Sequence, residues 1–276
     1  MSGAFVSLSP VPHIITTVNV NGVRAAARKG LTGWLAATEA DVVCLQETRA
    51  SDAQLRETLA DALAEGWHVA SAEPAAKGRN GVAVLSRRPA DAVRVGHDDG
   101  EFMDAGRYLE ADFDDLTVAS LYLPSGEVGT PRQDEKDRFL ASFAEYLGRT
   151  QAAAGAAGRE VVVCGDWNIA PAELDIKNWK GNLKKSGFLP HERQWLADLA
   201  AAGWVDVVRA LHPGTEGPYS WWSYRGKAFD NDAGWRIDHH LATAGLAERA
   251  KSAVVERAAA YDERWSDHAP VTVQYR

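Results

Sequence analysis

Short apolar runs alternate with longer amphipathic stretches along the N-terminal part of the chain. β-Branched and other apolar residues dominate residues 13–20 and 41–46, whereas residues 24–39 and 51–66 are rich in Ala, Leu and Glu. Runs of the first kind are typical of buried strands, and stretches of the second kind are typical of helices. Their regular alternation predicts an α/β fold with strands inside and helices outside.

The same pattern continues to the C-terminus. It predicts a helix from about residue 131 to 154 and further strands at 81–85, 107–113, 116–122, 160–164, 236–242 and 271–275. Residues 166–194 contain Pro, Gly and Asn throughout and show no sustained period, so we predict a long loop there. Residues 218–238 form a second irregular segment that is rich in aromatic side chains. Loops of this length are usually functional or disordered.

Polar side chains stand where several predicted strands end. Asn19, Glu47 and Tyr122 each end an apolar run, and Asp166 and Asn168 end another. Strand ends of open α/β sheets gather at one edge, where ligands bind, so we expect these side chains to lie close together. Asp267 and His268 come just before the last predicted strand. An antiparallel placement of that strand would bring both to the same edge.

Taken singly, these residues have ordinary explanations. Glu47 could be a charge at a helix start, Tyr122 an aromatic at the edge of the core and Asn168 a turn former. Their arrangement favours a site, because Asp166 and Asn168 would point to one face of an extended segment. Oxygen ligands without a cysteine pair favour Mg²⁺ or Mn²⁺ over structural zinc.

Composition limits the alternatives. A chain of 276 residues, 46% hydrophobic, is long enough for one large domain. Its net charge of −8 argues against a broad basic surface, so any nucleic-acid binding must be local. Cys44 and Cys164 lie inside apolar runs and are expected to be buried thiols in a reducing compartment. The N-terminus has no signal-peptide pattern, and no apolar run is long enough to span a bilayer. We therefore expect a cytoplasmic protein without membrane contact.

Blocks of sequence in a characteristic order resemble exonuclease III of the endonuclease/exonuclease/phosphatase superfamily. These blocks are NVNGVRA (19–25), DVVCLQETR (41–49), NGVAVLS (80–86), LYLPSG (121–126), GDWNIAPAELDI (165–176), FLPHERQWL (188–196), YSWWSYRGKAFDNDAGWRIDHHLAT (219–243) and WSDHAPV (265–271). The resemblance implies a single domain over 13–276 after an N-terminal extension, 1–12. It also implies a DNase I-like four-layer α/β sandwich of two mixed sheets packed face to face with helices outside.

The resemblance assigns roles to the polar residues. Glu47 would be the main ligand of Mg²⁺, for which Mn²⁺ can substitute, with Asn19 and Asp267 close to the metal. Asp166 would orient and deprotonate the attacking water. The scissile phosphate would receive hydrogen bonds from Asn168, Tyr122 and His268, with Asp238 paired to His268.

The aromatic segment and the basic residues would recognise DNA. By resemblance, Trp221, Trp235 and Ile237 wall an apolar pocket for a sugar that has lost its base. Candidates for DNA contact are Arg24, Arg107, Lys180, Lys184, Lys185, Arg225 and Lys227. Each of these could instead be a solvated surface charge, although the long loop makes Lys180, Lys184 and Lys185 the stronger candidates.

The implied function is DNA repair. The enzyme would hydrolyse the backbone of double-stranded DNA 5′ to abasic sites, act at 3′ ends as a 3′→5′ exonuclease and end-cleaning enzyme, and work as a monomer. Two alternatives keep the fold: a phosphodiesterase for a non-DNA phosphoester, and a mainly exonucleolytic paralogue with little abasic-site activity. A third alternative, a binding module without catalysis, would predict loss of at least one catalytic side chain, yet all are present.

Overall fold

The predicted strands form two mixed sheets in the computed structural model, which describes residues 13–74, 76–97 and 100–276. The proposed N-terminal extension, 1–12, lies outside the described residues. The first sheet contains, in spatial order, β11 (Ala250–Val255), β12 (Val271–Tyr275), β1 (Ile14–Asn19), β2 (Val42–Gln46), β4 (Val82–Ser86) and β3 (His68–Ala72). The second contains β5 (Ala92–Val95), β6 (Tyr108–Phe113), β7 (Leu116–Tyr122), β8 (Glu160–Asp166), β10 (Asp238–Thr243) and β9 (Trp204–Asp206).

Helices cover the outer faces of both sheets. The first sheet is covered by α1 (Val23–Lys29), α2 (Leu31–Ala37), α3 (Asp52–Thr58) and α4 (Ala60–Ala64). The second is covered by α5 (Pro131–Ala156) and α7 (Pro190–Ala201). The short helices α6 (Trp179–Asn182), α8 (Val207–Leu211) and α9 (Ala244–Glu248) lie in the connections. The inner faces of the two sheets pack together through side chains such as Cys44, Val84, Val118 and Val162. The predicted four-layer sandwich is confirmed.

Local sequence explains where the helices start and break. Thr130 caps α5 by accepting a hydrogen bond from the Arg132 amide, and Pro131 occupies the first helical position. Ser51 and Gln54 form a capping box on α3. The predicted helix 24–39 is two helices, because Gly30 adopts a φ of 138° between them. The predicted helix 51–66 is likewise divided into α3 and α4.

The prediction of a loop over 166–194 is wrong in part. This stretch contains a 3₁₀ turn at Glu173–Asp175, the short α6 and the first residues of α7. The pattern missed α7 because Pro190 and the polar residues after it resemble loop composition. Both cysteines are free and buried, as expected. None of the helices in the described part of the chain has the length and apolar character required to cross a membrane.

Candidate active site

Strand register brings the polar strand ends together at one end of the two sheets, which we call the mouth. Tyr122, Asp166 and Asp238 are direct neighbours across β7, β8 and β10. In the first sheet Asn19 pairs with Gln46, so Glu47 follows at the same edge. Strand β12 runs antiparallel to β1, which brings the residues before it to this edge. The predicted convergence is therefore present in the structure.

Asn19 connects two carboxylates. Its buried amide nitrogen donates to Glu47 Oε1 at 2.8 Å and to Asp166 Oδ2 at 2.9 Å. Its amide oxygen accepts from the backbone N–H of Asn21 at 2.9 Å. The Asn21 side chain in turn donates to Asp267 Oδ1 at 2.8 Å. Asn19 and Asn21 together fix the three carboxylates around one cleft.

His268 lies between two buried carboxylates. Its Nδ1–H donates to Asp238 Oδ2 at 2.9 Å, and its Nε2 lies 3.8 Å from Asp166 Oδ2. Burial alone lowers the pKa of His268, but the charges of Asp238 and Asp166 outweigh it and raise the pKa to about 10. The ring is therefore a cation at neutral pH, with both nitrogens available as donors.

The pKa of Asp166 is also raised, which for a carboxyl group favours the neutral form. Burial raises its pKa to about 7, with further contributions from Asp238 and Glu47, although His268 and the hydrogen bond from Asn19 act against it. A carboxylate whose pKa lies near neutrality can take up a proton during a reaction at neutral pH. Burial also raises the pKa of Tyr122 well above 10, and the nearby Glu47 and Asp166 charges add to this. Tyr122 consequently keeps its hydroxyl proton and acts as a donor.

Two arrangements of side chains could hold a cation. Asp166, Asp238 and His268 have ligand atoms within 4.8 Å of one another, a spacing that a metal ion could bridge. A charged imidazole is a poor ligand, however, because metal binding requires the neutral ring. The cleft at Glu47 and Asp267 offers oxygen atoms alone, which suits Mg²⁺ or Mn²⁺. The residues present therefore fit a hard cation best at the Glu47 end.

The backbone around Glu47 adopts an uncommon conformation. Glu47 and Arg49 have φ values of 49° and 50°, in the left-handed region that residues with side chains rarely adopt. Hydrogen bonds hold this turn from both sides: Gly22 N donates to Glu47 O at 2.7 Å and Arg49 N donates to Asn80 O at 2.9 Å. Arg49 also binds Glu47 Oε2 through its guanidinium. Strain of this kind is typical of functional sites.

Asn168 lies at the mouth, as predicted, but its backbone conformation differs from the predicted one. The segment is not extended there, because Asn168 has a φ of 50° and its backbone N–H donates to Asp166 Oδ1 at 3.0 Å. This turn replaces the expected alternation of side chains. The amide nitrogen of Asn168 donates to Leu123 O at 2.8 Å, which orients the rest of the amide group toward the cleft.

An aromatic wall adjoins the polar mouth. Trp221 and Trp235 meet edge to face, with ring centroids 6.1 Å apart, and pack with Ile237 and Phe188. Trp221 also donates its indole N–H to Asp267 Oδ2 at 3.1 Å. The cleft of about 440 Å³ at this point is lined by all three predicted pocket residues together with Glu47, Tyr122, Asp166, Asn168, Asp267 and His268. The pocket residues and the catalytic candidates therefore share one cavity.

The basic candidates occupy different positions. Arg107 lines a neighbouring cleft of about 480 Å³, but it is mostly buried and bonded to Glu135 and the Tyr122 carbonyl. Arg24 lines a third cleft with Arg28 and Arg49. The remaining candidates, Lys180, Lys184, Arg225 and Lys227, are exposed. Lys185 is exposed as well and lines the cleft that holds the aromatic wall.

Sequence reasoning missed three residues of the site. Ser220 is fully buried and donates to Asp238 Oδ2 at 2.6 Å, so it orients the partner of His268. Asn21 binds Asp267, and Arg49 binds Glu47. Asn21 and Arg49 lie within the NVNGVRA and DVVCLQETR blocks, which could have drawn attention to them. Ser220 also lies within a block, 219–243, but its partner Asp238 is set by the fold.

Known proteins resemble this chain in both sequence and structure. A model of the endonuclease/exonuclease/phosphatase family matches residues 16–268. The exodeoxyribonuclease of Bacillus subtilis (strain 168) is 35% identical over 254 residues, which cover 92% of this chain and 95% of that protein. The structure of an AP endonuclease from Archaeoglobus fulgidus has a TM-score of 0.84 and 30% identity, and covers 95% of this chain and 99% of that one. The 3′ phosphatase NExo from Neisseria, bound to a product DNA hairpin, has a TM-score of 0.85 and 30% identity, with 96% and 99% covered.

Proposed function

The chain belongs to the endonuclease/exonuclease/phosphatase family, and we propose that it is a metal-dependent DNA-repair nuclease that cuts the DNA backbone 5′ to abasic sites. We extend the proposal to 3′→5′ exonuclease activity and 3′-end cleaning, since all of these reactions hydrolyse a phosphoester at one site. The main support for the whole proposal is the shared cleft, in which Glu47, Asp166 and His268 adjoin the wall of Trp221 and Trp235.

We propose Mg²⁺ as the cation, with Glu47 and Asp267 as its ligands and Mn²⁺ as a substitute. When bound, it would neutralise charge on the phosphate oxygens and stabilise the departing oxygen. Asn19 contributes by holding Glu47 and Asp166 in place, because its amide nitrogen is already bonded to both.

The chain's own residues supply the rest of the reaction. Asp166 binds the attacking water and accepts its proton, which its raised pKa favours. His268, Tyr122 and Asn168 donate hydrogen bonds to the phosphate, where negative charge develops. Asp238 fixes the orientation and charge of His268, and Ser220 fixes Asp238.

Preference for an abasic site follows from the aromatic wall. Trp221, Trp235 and Ile237 present apolar surface beside the phosphate position, which suits a bare sugar. A nucleotide without its base costs less to rotate out of the duplex, because no base must be unstacked. The double-stranded DNA is held locally, with Arg24, Arg49 and Lys185 beside the clefts.

Two further features of the proposal concern the whole protein. We propose that it acts as a monomer, since every residue of the site comes from one chain. We also propose a cytoplasmic location, which the two free, buried thiols support.

A nicking assay tests the proposal. Duplex DNA with one tetrahydrofuran abasic analogue is incubated with Mg²⁺ or with EDTA, alongside a recessed 3′ end, a 3′-phosphate and an RNA–DNA hybrid. We expect a single nick 5′ to the analogue that EDTA abolishes. As a control, Asp166→Asn should lower turnover by about 10²-fold or more without loss of folding.

Three results would contradict the proposal. Cleavage that survives EDTA would show that the reaction does not need a cation. An Asp166→Asn variant with more than about a tenth of wild-type turnover would show that Asp166 is not the base. Hydrolysis of inositol phosphates or lipid phosphodiesters with DNA left intact would favour the alternative substrate class.

A further inference from the structure

A buried ion pair lies beneath the phosphate side of the cleft. Lys136 of α5 and Glu192 of α7 are both fully buried, and Lys136 Nζ lies 2.8 Å from Glu192 Oε1. Transfer of two charges out of water is unfavourable unless further hydrogen bonds compensate. A pair that only joined the two helices could equally lie at the surface. The contacts of its two charged groups therefore indicate what it does.

The Lys136 ammonium binds the loops that form the cleft. Its Nζ donates to Asn168 O at 3.0 Å, and it lies 3.4 Å from both Ser125 O and Ser186 Oγ. Ser186 Oγ in turn donates to Ser125 O at 2.7 Å. The three residues belong to three separate loops, and all three line the cleft. The buried ammonium group of Lys136 therefore links the three loops on the phosphate side of the mouth.

The Glu192 carboxylate completes the connection. Its Oε2 accepts from the backbone N–H groups of Gly187 at 2.7 Å and Leu189 at 3.1 Å, and its Oε1 lies 3.1 Å from Ser186 Oγ. Gly187 is packed closely, because a Cβ there would come within 2.9 Å of Asn168 O. This carbonyl oxygen is the one that Lys136 binds. The backbone of Asn168 is therefore enclosed on both sides.

Asn168 requires such support. Its φ of 50° lies in the left-handed region, which residues with a side chain adopt less readily than glycine, and among the described residues its side-chain amide is bonded at Leu123 O. We propose that Lys136 and Glu192 form a positioning pair that holds Asn168 in the geometry in which its side chain contacts the scissile phosphate. This rests on the proposed function, because it presupposes a phosphate at that position.

The competing explanation is that the pair merely joins α5 to α7. The two explanations differ in one respect. If the pair acts through Asn168, its effect on catalysis disappears once Asn168 has lost its side chain. If it is only structural, its effect is the same with or without that side chain. A double-mutant cycle measures this difference.

The test uses Lys136→Met together with Glu192→Gln, in the wild-type and in the Asn168→Ala background. Both substitutions conserve volume, leave no unpaired buried charge and keep an acceptor for the Leu189 amide. On the abasic duplex we expect kcat to fall about tenfold or more with KM within about twofold, as for loss of a contact made in the transition state. In the Asn168→Ala background we expect less than about a twofold change in kcat.

A matched control removes another ion pair. Arg94→Met breaks the bonds of Arg94 to Glu110 and Asp112 on the edge of the second sheet. We expect this variant to lose thermal stability and keep its kcat. Equal losses of kcat for the Lys136 and Glu192 pair in both backgrounds would overturn the proposal, as would an unchanged kcat in the wild-type background.

A readout without catalysis separates this proposal from the proposed function. The side-chain amide ¹⁵N signals of Asn168, assigned through Asn168→Ala, are compared in the wild-type chain and in the Lys136→Met, Glu192→Gln variant. We expect them to shift and broaden in the variant; unchanged signals overturn the positioning role. Failure of the wild-type chain to cut the abasic duplex would instead contradict the proposed function, while the NMR comparison would still decide the positioning role.

Discussion

Asn19 shows how a residue can be predicted correctly in position and incompletely in role. The strand-end pattern placed it at the mouth, and the resemblance to exonuclease III implied a position close to the metal. In the structure its amide nitrogen binds Glu47 and Asp166 together, so it fixes the distance between the proposed cation ligand and the proposed base. Strand ends are readable from the sequence because the pattern changes there. The partner of an amide 147 residues away is not, because only the tertiary fold brings the two together.

Trp221 belongs to the aromatic wall and also contacts a proposed cation ligand. Replacing it with Phe keeps an aromatic ring in the wall but removes the indole N–H that donates to Asp267 Oδ2. Partners of metal ligands typically contribute 10- to 100-fold to metal affinity. We expect Trp221→Phe to raise the Mg²⁺ concentration for half-maximal nicking by about tenfold. Calorimetric titration with Mg²⁺ should show the same loss.

Trp235→Phe provides the matched control for this prediction. Trp235 lies in the same wall, where it meets Trp221 edge to face. Its replacement leaves the bond between Trp221 and Asp267 in place, so the Mg²⁺ requirement should stay within about twofold of wild type, because metal affinity depends on the partners of the ligands. An equal change in both variants would show that the wall, and not the hydrogen bond, sets the metal affinity.

At the scale of elements, most of the strands that the sequence predicted are buried on both faces. Strands β4, β6 and β8 are rich in β-branched or large apolar residues and lie almost entirely in the core. Strands β3, β5, β9 and β11 were missed. All four lie at sheet edges and are partly exposed, and β3, β5 and β11 include Ala, Ser, His, Arg or Lys. Edge strands need fewer apolar residues, so their pattern resembles that of loops.

Gly165 lets β8 approach β7 directly before Asp166, the proposed base. It has a φ of 153°, and a Cβ there would overlap the Leu121 carbonyl and lie 2.9 Å from Leu121 N on the neighbouring strand. We expect Gly165→Ala to lower the free energy of unfolding by about 3 kcal/mol, because both the backbone angle and the strand spacing must change. Urea denaturation measures the loss. Nicking should also fall, since Asp166 follows directly.

Gly148→Ala is the comparison for this substitution. Gly148 lies inside α5, and a Cβ there would contact nothing within 4 Å. Alanine favours the helix by about 0.5–1 kcal/mol, so this variant should be as stable as wild type or more stable. If Gly165→Ala unfolded at the wild-type urea concentration, the close approach of β7 and β8 would not limit the choice of residue there.

At the scale of the whole molecule, the acidic charge and the two-sheet core have separate consequences. A net charge of −8 would oppose DNA, yet Arg24, Arg49, Arg107 and Lys185 stand beside the clefts at one end. The overall charge was readable from the sequence, whereas this local distribution required the fold. The core was predicted as apolar, but it also encloses polar side chains whose burial no pattern indicated. His240 is the most informative of these.

His240 lies between the two sheets with no exposed surface. Its Nε2–H donates to Val271 O at 3.0 Å, and its Nδ1 faces Cys164 Sγ at 3.3 Å and Tyr275 Oη at 3.4 Å. Burial lowers the pKa of His240 from its ordinary 6.5 to about 4, although the bond to Val271 acts against this. The folded protein therefore keeps this ring neutral at pH values where the unfolded chain protonates it.

The sign of the pH effect follows from this difference. Between pH 6.5 and 4 the unfolded state binds the additional proton, so stability contributed by the neutral ring is present above pH 6.5 and is lost as the pH falls toward 4. The full loss amounts to about 3 kcal/mol. His268 has the reverse shift, to about 10, so its contribution is fully present below pH 6.5 and does not vary in this window. The lowered pKa of His239 acts in the same direction as that of His240.

His240→Gln isolates the contribution of this one ring. Glutamine can still donate to Val271 O but does not titrate, so the melting temperature of the variant should fall less steeply than that of wild type between pH 6.5 and 4. Calorimetric melting curves across this range measure the two slopes, and the difference removes the effect of His239. Identical slopes for His240→Gln and wild type would show that the core accepts a proton at His240 without loss of stability, contrary to the burial that the two packed sheets impose on it.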